Sequence, residues 1–496
     1  MNVLRRPAAA DFAVSAAFGA LSFILLFVNY WIPPDKIFDE VYFARAAEEY
    51  LTRQYIYENT HPPVTKLLIT LSTMLFGGMH GGDNAWGWRF LDVVFGALAV
   101  ALLYLLARQM SGSRVFGAYA AGLFMFDGMH FVQSRIATPE SFVVCFSLAT
   151  LYGLYGFWNA RLQEPALPPP TLERRLAGAG IATVLSAAIV ALRFPHEILA
   201  AQIIAGLYAL AGFYAVYRIW AEPRILHERS LRWLLVWAVS IALLVSSKWY
   251  GVMAFGVALA VFVWDRRKFR LDFVAAVVVF VTCTVYFAAY TPQFVGLRDL
   301  PQSAPRAYTL SDVVTMQYNA YEYHKNLRAT HPYASQWWQW PLDLRPILYY
   351  ANYGAAGKTS TAAMIYTLPN PLILWLGLLT VPLVGYWGVR ERNRTFVLVV
   401  LTYAAQWLPW IGSPRIAFAY HFYVNIPLIC ICTAFTAQRL AARASESPRV
   451  QNWVRVGIAV YFASVAAAFA YFYPILAAVA IPTQAWLQRM WLKSWM

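Results

Sequence analysis

The run FAVSAAFGALSFILLFVNYW, residues 12–31, and the segment KIFDEVYFARAAEEYL behind it at 36–51 decide how the rest of the chain is read. The first is an unbroken apolar stretch long enough to cross roughly 30 Å of hydrocarbon. It is too long for the core of a cleaved signal peptide, and no small-residue cleavage site follows it. The second carries two adjacent carboxylates, Asp39 and Glu40, just past a Pro33-Pro34 turn. Ionisable side chains held at a membrane are costly unless partnered, so the pair raises the question of what it acts on.

Other runs repeat the first signal, among them LDFVAAVVVFVTCTVYFAAY (271–290) and IAVYFASVAAAFAYFYPILA (458–477). Across 496 residues the chain is 60% hydrophobic and 13% charged, against about a quarter charged in soluble proteins. The expectation is an all-α polytopic membrane protein with about 11–13 transmembrane helices. Spans are placed near 12–31, 88–107, 115–131, 141–158, 176–192, 197–217, 233–247, 249–264, 271–290, 369–389, 395–411, 416–436 and 456–475. No soluble module, repeat or low-complexity tract interrupts them, and PALPPPTLERR (165–175) reads as a linker, so residues 1–496 form a single membrane domain.

A net charge of +15 could suggest nucleic acid. The cations instead gather in the short loops of one side, at Arg5, Arg6, Arg108, Arg114, Arg174, Arg175, Arg266, Arg267, Arg390, Arg392 and Arg443. This is the positive-inside asymmetry; it sets the N-terminus in the cytoplasm and excludes nucleic acid as a partner. An odd number of spans then leaves the C-terminus outside. The four cysteines (Cys145, Cys283, Cys430, Cys432) all fall within spans, which implies neither a disulfide framework nor a thiolate metal site.

Two outward segments exceed simple connectors. The first, 32–87, holds the acidic pair on a helix-periodic stretch lying at the interface, with Val41, Ala44, Ala47 and Leu51 on one side and Glu48 and Glu49 on the other. The second, 291–368, is rich in Trp, Tyr, His and Pro. Loops of more than about 15 residues are usually functional or disordered, and these are too aromatic for disorder.

Polar groups recur at the outer depth. His61 and Lys66 lie in THPPVTKLL (60–68), Arg89 in WGWRFLDVVFG (86–96), Arg135 and Glu140 in QSRIATPE (133–140), Lys248 in SSKWYG (246–251), and Arg415 and His421 in SPRIAFAYHFY (413–423). A carboxylate at a helix start can simply complement the dipole, and an arginine can snorkel. Supplied together by separate spans, these groups describe a cavity that receives an anion. Without a glycine-rich phosphate loop or an HExxH motif, a lipid phosphate suits it better than a nucleotide. Trp337, Trp338 and Trp340 form either an interfacial belt or a lid over sugar or acceptor.

On these residues the sequence resembles the protein O-mannosyltransferase family, integral-membrane glycosyltransferases of the GT-C fold that use mannose linked to a polyprenyl (dolichyl) phosphate. The matching elements are FDEVYFA (38–44), HPPVTK (61–66), RFLDVVFG (89–96), SSKWYG (246–251), HPYASQWWQWPLDLRP (331–346), PNP (369–371), PRIAFAYHFY (414–423) and RMWLKSW (489–495). The resemblance implies Asp39 as general base supported by Glu40, Arg89 at the donor phosphate, and His61 and Lys66 as polar groups of the first loop. Arg135, Lys248, Arg415 and His421 join them around the donor, and Trp337, Trp338 and His331 serve the acceptor. Where relatives often carry Asp this chain reads ATPE, so Glu140 is the stand-in. The segment 291–368 is too short for the β-trefoil insert of the eukaryotic enzymes, which implies the compact bacterial form.

The implied reaction is inverting transfer of mannose to Ser/Thr hydroxyls of an exported polypeptide, without metal or cofactor, at the outer face of the bacterial inner membrane. Membrane lipid and the translocation machinery are the further partners. A lipid or glycan acceptor, as in relatives that modify lipid A, keeps the same chemistry. A transporter would show paired interrupted helices in two related halves, a pattern this sequence lacks.

Overall fold

The computed structural model describes residues 8–77, 84–164, 206–215, 217, 227–265, 269, 271–296, 310–354, 360–413 and 415–496. The expected span 176–192, most of 197–217 and the linker 165–175 lie outside them. Among the described residues eight helices are long and apolar enough to cross a membrane: Ala9–Phe27, Ala85–Ser111, Glu140–Gln163, Leu271–Gln293, Pro371–Arg390, Arg394–Gly412, Ala419–Glu446 and Pro448–Leu476. Val64–Phe76, Gly206–Ala215 and Gly251–Trp264 are shorter apolar helices. The chain packs as two units, one of residues 1–44, 71–148 and 328–496, the other of 45–70 and 149–327.

In the first unit α1 (Ala9–Phe27) lies along α4 (Ala85–Ser111), which packs on α5 (Arg114–Met125). The start of α4 is fixed by Asn84, whose side chain accepts from Gly87 N at 2.7 Å, and its end by Gly112 at φ 70°, the left-handed stop glycine adopts without a Cβ penalty. Gly96 lets α4 approach the turn after α6 (Gly128–Gln133): a Cβ there would lie 2.3 Å from Ser134 Oγ. The expected span 115–131 is in fact two helices. The chain breaks at Asp127, whose carboxylate caps α6 at His130 N (2.8 Å) and also accepts from Asn370 N (2.8 Å), so a buried polar staple replaces a continuous helix.

The aromatic segment contains strands that the helical reading of the chain did not single out. β1 (Ile347–Tyr353) pairs antiparallel with β2 (Thr361–Thr367), and β2 with the two-residue β3 (Ile481–Pro482). Ile347, Tyr349, Met364, Ile365 and Tyr366 pack into one core with Leu26, Tyr30, Val93, Phe472 and Trp495. This packs the strands in one core with Leu26, near the end of α1.

The second unit contains the helices Glu228–Val245, Gly251–Trp264 and Leu271–Ala288, the first packed on the other two. Glycines of α7 (Glu140–Gln163) admit the indoles of the first of these: a Cβ on Gly153 would meet the Trp237 backbone at 2.7 Å. The helix expected in the first loop is α2 (Glu40–Leu51). Glu49, expected on its polar side, is buried instead, accepting from Arg45 Nε (2.7 Å) and Tyr57 N (2.8 Å). The chain that doubles back after α2 supplies the partner that periodicity alone could not show.

Candidate active site

The acidic pair divides into two roles because its members face different surroundings. Glu40 and Arg89 are both fully buried. Arg89 Nε donates to Glu40 Oε1 and Nη2 to Oε2, each at 2.7 Å. The remaining guanidinium donors reach the carbonyls of Tyr30 (3.2 Å), Pro33 (2.8 Å) and Asp35 (3.0 Å). Glu40 in turn accepts from Ile37 N (2.9 Å) and Ala137 N (2.8 Å). Taking two charges out of water is offset only when geometry is good and the remaining lone pairs and protons are satisfied; here both conditions hold. The chain from Tyr30 to Glu40 is thereby wrapped around one guanidinium.

All five N–H groups of Arg89, expected at the donor phosphate, are engaged within the protein. Glu40 is likewise saturated and supports Asp39 by anchoring the backbone beside it.

Asp39 is half-buried and opens α2, its carbonyl accepting from Tyr42 N (3.0 Å) and Phe43 N (3.2 Å). The preceding Phe38 holds φ at 47°, a left-handed conformation that costs a non-glycine residue about 1–3 kcal/mol. The conformation turns the Phe38 ring onto Tyr349 (centroids 4.1 Å apart, stacked) and against Phe418 and Tyr420 at 6.4 and 6.1 Å. Those contacts, with the Glu40 anchor one residue later, hold the strain and fix where Asp39 emerges. Burial pushes the Tyr349 hydroxyl well above its usual range, and the nearby Tyr420, Glu140 and Asp39 add to the effect; Gln133 Nε2 donates to that hydroxyl at 3.0 Å.

Arg135 stands in the turn between α6 and α7. It is buried, donates from Nη2 to Val28 O (2.9 Å) and lies over the Phe131 ring at 4.3 Å. Its Nε is buried without a partner. Burial, with the charge of Arg89 adding to it, pulls this guanidinium down to about 10. Arg135 is therefore a cation with donor capacity unspent. Glu140 is buried at the start of α7. Next to it Ser141 Oγ donates to Asp92 Oδ1 (2.7 Å), and Asp92 Oδ2 is buried with no partner. Asp92, Gln133, Tyr349 and Tyr420 were not singled out in the sequence; the one available signal was that Asp92 falls three residues after Arg89, on the same face of α4.

Arg415 and His421 stand in the aromatic surroundings of Trp410. His421 is buried in an aromatic stack, 4.4 Å from Tyr420 and 4.3 Å from Trp410 between centroids. Arg415 lines a cleft of about 210 Å³ with Trp337, Trp340 and Trp410. Trp340 is buried, donating from Nε1 to Ser335 Oγ (2.9 Å), whereas Trp338 is 48% exposed. His331 packs edge-on against Phe418 at 5.2 Å.

His61, Lys66 and Lys248 belong to the second unit. Lys66 is buried, and its ammonium donates to Glu58 Oε2 (2.9 Å), Glu58 O (2.5 Å) and His61 O (2.8 Å). All three of its protons are engaged, and they tie the Pro62-Pro63 turn to Glu58. His61 Nδ1 lies 2.9 Å from Glu58 Oε1 and its ring meets His324 edge-on at 5.4 Å. Burial alone would raise the Glu58 carboxyl, but Lys66 and His61, with hydrogen bonds from His61 and Thr60, hold it well below the usual carboxylate range. Glu58 was missed because its partners lie on both sides of the turn. Lys248 is half-buried, 6.0 Å from the Tyr250 ring.

Comparison with known proteins bears on this arrangement. The family profile for dolichyl-phosphate-mannose-protein mannosyltransferase matches residues 16–220, and that for the C-terminal four-transmembrane region of protein O-mannosyltransferase matches 309–495. A polyprenol-phosphate-mannose–protein mannosyltransferase of Mycolicibacterium smegmatis is 28% identical, covering 98% of this chain and 93% of its own. The protein of that name from Mycobacterium tuberculosis is 26% identical over 92% and 86%. Among solved structures, the Saccharomyces cerevisiae protein O-mannosyltransferase Pmt1-Pmt2 complex bound to its sugar donor superposes with a TM-score of 0.70 over 100% of this chain and 94% of that one, at 11% identity. ArnT from Cupriavidus metallidurans, bound to undecaprenyl phosphate, gives 0.53 over 94% and 71%, at 14% identity. These similarities in structure establish a shared GT-C fold.

Proposed function

The chain belongs to the protein O-mannosyltransferase family, and from that premise we propose how its residues work. It is a mannosyltransferase that moves mannose from a polyprenyl-phosphate donor to protein. The acceptor atom is a Ser or Thr hydroxyl of an exported polypeptide. This hydroxyl is a poor nucleophile near neutral pH, so a carboxylate must take its proton as the new bond forms. Asp39 has that role. The acceptor oxygen bonds to mannose C1, the bond from C1 to the phosphate oxygen breaks, and the proton passes to Asp39. One base without a covalent partner means single displacement, a β-linked donor giving an α-linked product.

The departing polyprenyl monophosphate gains negative charge, and a fixed donor aimed at such charge in a water-poor site is worth most. Arg135 supplies it, since Arg89 is consumed by Glu40. With a monophosphate leaving group, this cation takes the place a metal would hold, and the reaction needs none. The Arg-rich short loops support a cytoplasmic N-terminus and an outward site in a bacterial inner membrane, where the acceptor arrives from the translocation machinery and the donor from the surrounding lipid.

The observation that carries this reading is the anchoring of Asp39 between a strained Phe38 and a saturated Glu40–Arg89 pair. The test is transfer from radiolabelled polyprenyl phosphomannose to a Ser/Thr peptide by the protein in liposomes, with EDTA in a parallel sample. Label on the peptide released by α-mannosidase, undiminished by EDTA, is expected. Label on lipid alone, or loss with EDTA, would overturn the acceptor or the metal claim respectively.

A further inference from the structure

The aromatic cleft is lined by none of Asp39, Glu40, Arg89 and Arg135. It is lined by Ser335, Gln336, Trp337, Gln339, Trp340, Trp410, Ser413 and Arg415 among others, and has a volume of about 210 Å³. Its walls are tied together: Ser335 N donates to Ala417 O (2.9 Å), Trp407 Nε1 to Trp337 O (2.9 Å), and Gln336 N to Gln339 Oε1 (2.6 Å). From Phe38, beside Asp39, the path to the cleft runs over Phe418 (6.4 Å), His421 (6.5 Å further) and Trp410 (4.3 Å further).

We propose that this cleft is a second sugar subsite, binding a mannose already attached to the acceptor polypeptide. Three features select a hexose. Ligand pockets for larger molecules run to about 300–1,000 Å³, so this one takes a single ring. Indoles present flat apolar surface to the C–H face of a sugar. The rim carries two amides, two hydroxyls and a guanidinium, groups suited to vicinal hydroxyls. A purely apolar docking groove would not be lined this way. The occupant is the chemistry the enzyme itself makes: a product mannose a few residues along an extended chain, at roughly 3.3–3.6 Å per residue, reaches the cleft while the next hydroxyl lies at Asp39. The subsite would bias transfer towards acceptors that already carry sugar. This inference rests on the protein-acceptor reading above.

The experiment compares two peptides of one sequence, one bare and one with α-mannosyl-Thr four residues from the reactive Thr, in the full-length protein in liposomes. The glycopeptide is expected to show a KM about tenfold lower at similar kcat. Gln336→Ala, an exposed position, and Trp410→Phe, which keeps an aromatic ring in the stack, should each remove most of that advantage and leave the bare peptide unchanged. Equal KM for the two peptides in the wild type would overturn the subsite with the transferase reading intact. A parallel rise in KM for both peptides in the variants would make the cleft a peptide groove and also overturn it. No label on either peptide would instead sink the protein-acceptor reading.

Discussion

Glu40 and Arg89 meet through two hydrogen bonds of 2.7 Å, fully enclosed, and each spends its remaining capacity on backbone. The pair turns one loop, from Tyr30 to Glu40, into a fixed mount for Asp39. It also engages Arg89 through both Nε and Nη2.

Breaking that pair from one side leaves an uncompensated buried charge, which typically costs 3–5 kcal/mol, about the whole margin of a marginal fold. Arg89→Ala and Glu40→Ala should each lower the detergent Tm sharply or abolish folded yield, while Asp39→Asn should melt like the wild type. Equal Tm values across the three variants would contradict the assignment of separate roles.

Arg135 should behave differently. Arg135→Ala removes a cation whose Nε has no partner in the protein, so folding is retained and kcat falls about 10²–10³-fold, the usual loss for one donor to developing charge. Arg135→Lys should recover part of it. Unchanged kcat in a folded Arg135→Ala protein would reassign the phosphate contact.

The acid limb of stability has a named source. The Glu58 carboxyl is held well below its ordinary value by Lys66 and His61 against the opposing effect of burial. A group depressed in the folded state stabilises above its unfolded value, about 4.3, and loses that contribution as pH falls towards the folded one. Thermal melts from pH 7 downward should hold until about pH 4 and then decline, and Glu58→Gln should flatten this decline from a lower starting Tm. An identical acid profile in the variant would show that other carboxylates dominate.

The terminal RMWLKSW motif reads structurally as a plug. Trp495 is fully buried and donates from Nε1 to Asp343 O (2.6 Å), while Arg345 Nη1 reaches Ser494 O (2.6 Å) and Met496 O (3.2 Å). Truncating a buried Trp to Ala costs about 3–5 kcal/mol, so Trp495→Ala should lower Tm by several degrees or more, with KM for both substrates unchanged in what remains folded. A shift in donor KM at unaltered Tm would place the motif in binding instead.

The apolar runs, the charge asymmetry and the motif residues made the membrane fold legible, because burial in lipid demands long uninterrupted apolar helices and leaves little alternative. Individual roles were less legible where they depend on a distant partner. FDEV and RFLD read as two polar sites, yet Glu40 and Arg89 cancel each other across 49 residues. Lys66 looked like a free cation until Glu58, eight residues back, took it. β1 was hidden because its inward residues, Ile347 and Tyr349, sit among the aromatics Tyr350 and Tyr353 and show no clean alternation of apolar with polar.

The most direct test of the account is single-turnover transfer by Asp39→Asn, with donor binding measured on the same preparation. Loss of general-base catalysis should lower the rate about 10²–10⁴-fold with Tm and donor affinity at wild-type values. An Asp39→Asn protein that transfers mannose at the wild-type rate would contradict the account, because the strained Phe38 and the buried Glu40–Arg89 pair would then be presenting a residue the reaction does not use.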